Sequence, residues 1–369
     1  MMLPSPPKSL GRLGDVLISA LGSALGSENP MNLKARKSVC VLLIDGLGSS
    51  NLKSAGGHAS FLNSRMSQSI SCYFPATTST SLTGLATGLQ PSETGFIGYQ
   101  IYHKENRQSM NLLSGWIDYA AGATFQKQQT VSEMTIQQDV QFHVVSLPAY
   151  EESGLTGATM RGAVFHGRSD IKARFEHALE LLSQPQSKVI FLYVPELDQV
   201  AHQFGSESSK WLEGLETVDS LVRNLSENIP RNTGLIITAD HGVIDIPESN
   251  HLYLDEVLPK EKLNFVGGDT RGLFLYLADP VETAAVQQLL MATYSESCWV
   301  LKPDDLINAG YWKQSQSSAA TEPDLVLLAR KKVALYHRGF AKKKSLLMKG
   351  HHGSITAEEL TVPLIKVNF

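Results

Sequence analysis

The sequence predicts an α/β fold, a three-layer sandwich built on a mostly parallel central sheet, and three observations predict it. Ser38–Ile44 (SVCVLLI), Lys188–Val194 (KVIFLYV) and Gly234–Ala239 (GLIITA) are short runs, apolar on both faces. Strands buried between two helical layers read this way. Amphipathic helical patterns separate them, at Ser169–Gln184 and Glu207–Asn228. Each run is followed closely by an aspartate (Asp45, Asp198 or Asp240), and ligands in open α/β sheets bind beyond the carboxyl ends of the strands.

The bulk properties narrow the class. A chain of 369 residues can bury a sizeable core and suits one large domain with inserted parts. Its composition, 42% hydrophobic and 18% charged, is that of a soluble globular protein. A net charge of -4 argues against a general nucleic-acid binder, which needs a basic surface to displace counterions. A small phosphorylated substrate, a nucleotide among the candidates, stays open because bound metal can supply positive charge locally. Cys40, Cys72 and Cys298 are odd in number and widely spaced, so no disulfide framework is expected. A reducing, cytoplasmic setting follows. No run reaches the length of a membrane span, and no membrane association is expected.

In chain order, residues 1–32 form an N-terminal segment whose Leu13, Val16, Leu17, Ala20 and Leu21 fit an amphipathic helix packed on the core. The main domain is 33–369. Its first strand, Ser38–Ile44, ends at Asp45-Gly46. The next segment, Phe74-Pro75-Ala76-Thr77-Thr78-Ser79-Thr80-Ser81, crowds five hydroxyls ahead of a small-residue helix. Hydroxyls at a helix N-terminus can meet a phosphate there, although the same pattern also caps an ordinary buried helix. Residues 96–168 break the strand–helix alternation and are expected to be an irregular insertion shaping a substrate pocket, with His103, His143 and His166 as surface or core residues rather than ligands. After Lys188–Val194 comes Glu196-Leu197-Asp198-Gln199-Val200-Ala201-His202, which puts Asp198 and His202 one helical turn apart on one face. After the third strand comes Asp240-His241-Gly242, an acid and an imidazole side by side at a strand end. Residues 251–348 are expected to form a second insertion, an α+β lobe. Lys349-Gly350-His351-His352-Gly353 and a closing strand, Thr361–Val367, finish the chain.

Asp45, Thr78, Asp198, His202, Asp240, His241 and a C-terminal histidine can thus converge on one edge of the sheet. Three carboxylates and three imidazoles suffice for two divalent ions. Two ions bring about +4 against about -3, leaving roughly +1 for a phosphoryl group.

This ordered set resembles the alkaline phosphatase superfamily and, within it, the type I phosphodiesterase/nucleotide pyrophosphatase family. The resemblance covers about Val39 to Gly95, Lys188 to His241 and Gly350 to Leu364. Family members carry Pro-x-x-Thr followed by Thr-Gly-Leu-x-Pro, as Pro75-Ala76-Thr77-Thr78 and Thr87-Gly88-Leu89-Gln90-Pro91 do here. The resemblance implies Thr78 as nucleophile, with Thr77 the neighbouring register. It implies one metal held by Asp198, His202 and His352, and another by Asp45, Asp240 and His241 with Thr78 toward it. His352 is chosen over His351 because it directly precedes Gly353. The implied activity is hydrolysis of phosphodiester or pyrophosphate bonds through a phospho-threonine, with phosphonate or phosphomonoester hydrolysis, or an inactive metal-binding relative, as alternatives. The ligand chemistry favours two zinc ions, with manganese or another transition metal acceptable. A sulfatase is disfavoured because Cys72-Tyr73-Phe74-Pro75-Ala76 lacks the arginine of the Cys-x-Pro-x-Arg element. Two positions depart from the family pattern. Ser81 stands where an asparagine holds a phosphate oxygen, and is assigned that substrate contact; Thr94-Gly95 replaces His-Gly.

Overall fold

The computed structural model describes residues 3–6 and 11–369. Residues 1, 2 and 7–10 of the N-terminal segment lie outside the described residues. The main sheet takes β1 (Gly11–Arg12), β2 (Ser38–Ile44), β3 (Gln68–Ser71), β4 (Gln141–Ser146), β5 (Val164–Gly167), β6 (Lys188–Val194) and β7 (Thr233–Thr238). A small sheet takes β8 (Leu263–Asp269), β9 (Gly272–Leu277), β10 (Cys298–Leu301) and β11 (Leu325–Ala329), and β12 (Thr361–Val367) returns to the main sheet. The principal helices are α1 (Asp15–Leu25), α2 (Thr78–Thr87), α3 (Gly154–Thr159), α4 (Ile171–Ser183), α5 (Glu196–Phe204), α6 (Ser209–Asn228) and α7 (Thr283–Tyr294).

The main sheet runs β1-β3-β12-β7-β2-β6-β4-β5. The five strands from β7 to β5 are parallel, and only β12 runs against its neighbours. Every residue of β2, β6 and β7 is buried, which explains why these strands read as continuous apolar runs. These three strands are adjacent, so the loops that follow them emerge together. Helices α1 and α2 contact each other on one side, and α4, α5 and α6 pack together on the other. Helix α2 lies close to the segment before it. A Cβ on Gly84 would fall 2.1 Å from the Tyr73 ring, so a side chain there would push the helix off its seat. Among the described residues no helix is long and apolar enough to cross a membrane.

Residues 96–168 are not wholly an irregular insertion. They contain a hairpin, Gln100–His103 with Gln108–Asn111, but also supply β4 and β5 to the main sheet. These two strands escape the apolar pattern for a physical reason. β4 carries His143 and Ser146 among its apolar residues, and β5 is a four-residue edge strand containing His166. Residues 251–348 fold as an antiparallel sheet, β8-β9-β11-β10, with α7 against β10 and a separate apolar core.

The histidines of β4 and β5 form a stack on the face away from α2. His143 Nδ1 lies 2.9 Å from His166 Nε2, and the His166 and His177 rings are 4.8 Å apart. Burial, then the neighbouring His166, Lys188 and His177 charges, lowers the His143 pKa to about 4. The unfolded chain takes up this proton near pH 6.5 and the folded chain does not, so stability is complete above that pH and falls toward pH 4. Urea denaturation at pH 7.0, 5.5 and 4.5 should show a steeper loss for the native chain than for His143→Gln. Parallel pH profiles would remove His143 as the cause.

Candidate active site

The carboxylates come from the three adjacent strand ends. Asp45 follows β2, with its N–H donating to Val194 O at 2.9 Å. Asp240 follows β7. Asp198 lies in the first turn of α5, just beyond β6. Gly46 turns the chain after Asp45 at φ 72°, and a Cβ there would fall 3.0 Å from Asp198, so the two loops meet only because this residue is glycine.

In the three carboxylates one oxygen is held and the other is left free. Tyr193 Oη donates to Asp45 Oδ2. The N–H groups of Gly46 and His241 both donate to Asp240 Oδ1 at 3.1 Å. Asp198 Oδ2 lies 3.2 Å from His202 Nε2. Asp45 Oδ1, Asp198 Oδ1 and Asp240 Oδ2 are buried with no hydrogen-bond partner among the described residues. Buried carboxylate oxygens are costly in this condition unless a cation compensates them. Burial, then the Asp240 and Asp198 charges, pushes the Asp45 carboxyl well above its ordinary range.

The histidines show the complementary arrangement. His202 Nδ1 donates to Gly350 O at 2.9 Å and His352 Nδ1 to Ala76 O at 2.7 Å, while His241 Nδ1 lies 3.4 Å from Gly242 O. A backbone acceptor at Nδ1 leaves Nε2 as the ligating atom. All three Nε2 atoms turn inward. His202 Nε2 and His352 Nε2 are 3.3 Å apart, and His241 Nε2 lies 3.4 Å from Asp45 Oδ1 and 3.6 Å from Asp240 Oδ2. Burial works against a charged His202, but Asp198 outweighs it and raises the pKa to about 9. Burial, then the His241 charge, lowers His352.

These donors suit divalent metal. Asp198, His202 and His352 place one ligand atom each within 4.8 Å of one another, and so do Asp45, Asp198 and His241. Asp198 therefore stands between the two groups, whereas the sequence assigns it to the first alone. Asp240 borders the second group through Oδ2. The donors are oxygen and imidazole nitrogen, with no thiolate among them, a set that fits zinc or manganese. His351 points the other way: its Nδ1 meets Thr270 Oγ1 at 2.9 Å.

Helix α2 presents the hydroxyl. Of the five in sequence, three are tied to carbonyls: Ser79 Oγ to Gly98 O, Thr80 Oγ1 to Phe96 O and Ser81 Oγ to Asp240 O at 2.8 Å. Ser81 is thus not a substrate contact. It is fully buried and its proton is spent holding the Asp240 backbone. Thr77 and Thr78 line a cavity of about 1170 Å³, and Thr78 Oγ1 lies 3.3 Å from His241 Nε2.

Four supporting residues were not among the sequence candidates. Tyr193 holds Asp45. Asp269, on the cavity wall, sits 3.6 Å from His352 Nδ1. Arg271 and Glu359 form a fully buried bidentate pair, 2.8 and 3.0 Å. Arg271 also donates to the Lys331 and Val333 carbonyls, while Glu359 accepts from Ser354 N and its carbonyl from Gly242 N. The pair thereby ties the small-sheet lobe to the loops carrying His352 and His241. Asp269 and Arg271 both sit in Gly267-Gly268-Asp269-Thr270-Arg271, a polar interruption before a strand and the one sequence feature that marks any of the four.

Glu359→Gln should destabilise the fold by about 3–5 kcal/mol because it strands a buried guanidinium. Urea denaturation should show a smaller loss for the double change Arg271→Met with Glu359→Gln. A neutral Glu359→Gln would mean that the pair does not hold these loops.

No curated protein matches the sequence. Among solved structures, murine ectonucleotide pyrophosphatase / phosphodiesterase 5 superposes with a TM-score of 0.70 at 16% identity, covering 89% of this chain and 87% of that one. The human counterpart gives 0.70 at 14% identity, with the same coverage. An inactive threonine-to-alanine variant of the murine protein, in complex with AMP, gives 0.69 at 16%, again over 89% and 87%. The likeness fixes an alkaline-phosphatase-like fold. The family model described as type I phosphodiesterase / nucleotide pyrophosphatase matches residues 39–355. The chain belongs to the type I phosphodiesterase / nucleotide pyrophosphatase family.

Proposed function

We propose that this protein is a two-metal hydrolase of phosphodiester or pyrophosphate bonds, with Thr78 as nucleophile. The observation that carries the reading is the cluster itself: three buried carboxylate oxygens without partners among the described residues, facing three imidazole Nε2 atoms, with the Thr78 hydroxyl 3.3 Å from one of them. Asp198, His202 and His352 would hold one ion, and Asp45, Asp240 and His241 the other, with Asp198 reaching both. When bound, the ions supply the positive charge that lowers a hydroxyl pKa and stabilises the oxygens of an in-line displacement.

The chain's own residues do the rest. The α2 N-terminus directs its first N–H groups toward the phosphoryl oxygens. Thr78 Oγ1 forms the new O–P bond as the bond to the departing alcohol or phosphate breaks, and that group leaves with a proton. Water then attacks the phospho-threonine, releasing the phosphorylated half of the substrate and restoring the hydroxyl. The carbonyls of Ala76 and Gly350 keep the His352 and His202 rings from turning during both displacements. The AMP held by the murine relative supports a nucleotide-like phosphoryl compound as a candidate substrate.

Thr78→Ala should abolish turnover of bis(p-nitrophenyl) phosphate, by at least a thousandfold, while Thr77→Ala keeps most of it. Full activity in Thr78→Ala would discard the nucleophile assignment.

A further inference from the structure

An in-line displacement fixes which side of the centre takes the leaving group. Thr78 Oγ1 lies 3.3 Å from His241 Nε2, so the attacking oxygen stands on the side of Asp45, Asp240 and His241. The departing oxygen then emerges opposite, beside Asp198, His202 and His352. The cavity is polar around His202. Gln199 and Gln203 flank it on α5, and the small-sheet lobe adds Lys342, Lys344 and Ser345 to the same wall.

The two lysines belong to a strap, residues 337–349, that is pinned along its length. Gly339 N donates to His337 Nδ1, which leaves His337 Nε2 to donate to Leu258 O at 3.0 Å. Tyr336 Oη donates to Ser345 O at 2.7 Å. Ser345 N and Oγ both donate to Lys342 O, at 2.9 and 2.7 Å, so Lys342 to Ser345 is a closed turn. At the far end Lys349 N donates to His202 O at 2.9 Å. The strap is thereby fastened to the helix that carries Asp198 and His202. Lys344 stands five residues before Lys349, a chain length of at most about 18 Å.

The positive charge of the strap is only partly spent. Arg338 is paired with Asp255 and Glu256. Lys342, Lys343 and Lys344 are exposed and make no ion pair among the described residues. Of these, Lys342 and Lys344 line the cavity and Lys343 does not. Ammonium groups on the wall of a phosphoryl site favour a second negative charge on the ligand, and their exposure leaves room for it.

We propose that Lys342 and Lys344 are specificity-determining residues that hold an anionic group, phosphate or carboxylate, on the leaving part of the substrate. The inference rests on the hydrolase reading above and narrows it to diesters and pyrophosphates whose leaving group carries its own charge.

Methyl 3-carboxyphenyl phosphate and methyl 4-(3-carboxypropyl)phenyl phosphate place a carboxylate at two distances along the leaving phenol. Their carboxamides are neutral and nearly the same shape. The zinc-loaded full chain should hydrolyse at least one of the acids with a kcat/KM about tenfold above that of its amide. Lys342→Gln combined with Lys344→Gln should lower that ratio to about twofold. Lys343→Gln removes a charge from the same run but not from the cavity wall, and should keep most of the ratio. Equal values for acid and amide in the native chain would overturn the proposal, as would a loss in Lys343→Gln as large as in the double variant. Calorimetric binding of the same compounds separates the two readings. Tighter binding of an acid than of its amide, lost in the double variant, without hydrolysis of any compound keeps the lysine assignment and removes the hydrolase. Hydrolysis of acids and amides at equal rates keeps the hydrolase and removes the assignment.

Discussion

Mutual repulsion among Asp45, Asp198 and Asp240 is the constraint on which the architecture turns. Three carboxylates gathered at adjacent strand ends, each with an oxygen lacking a partner, form a concentration of negative charge that burial makes worse. Nothing in the apolar sheet relieves it. The buried guanidinium of Arg271 is spent on Glu359. What faces the carboxylates is imidazole nitrogen, each ring turning its Nε2 inward with a backbone carbonyl at its Nδ1. A cation is the missing term in that arrangement, and the same cation is what a phosphoryl substrate needs.

The histidines explain how a folded chain keeps such a site in register. Each ring is anchored at Nδ1 by a carbonyl from a different segment: Gly350 for His202, Ala76 for His352, Gly242 for His241. The Ala76 carbonyl stands two residues before Thr78. The ring of His352 is therefore positioned by the segment that carries the hydroxyl. The Arg271–Glu359 pair extends this coupling outward to the small-sheet lobe, whose Gly267–Thr270 turn lines the cavity. Lobe and centre are parts of one structure.

Much of this was legible in the sequence because it depends on local pattern. Apolar runs announced β2, β6 and β7, and the aspartates after them had to share an edge once the strands were parallel. The spacing of Asp198 and His202 on α5 needed only helical geometry. Strands β4 and β5 were missed because histidine and serine broke their apolar pattern. Ser81 was misassigned because a hydroxyl in the first turn of a helix looks the same in sequence whether it faces a cavity or a carbonyl. Tyr193, Arg271 and Glu359 act through partners 148 and 88 residues away, and no spacing rule encodes such pairs. The division of Asp198 between two ligand groups is likewise a property of the packed loops.

The most direct test of this account is metal stoichiometry, measured by elemental analysis after equilibrium dialysis against zinc. The native chain should retain two ions per molecule, and His352→Ala and His241→Ala should each retain one. Retention of a single ion or none by the native chain would contradict the account, because the unpartnered carboxylate oxygens would then have no counter-charge.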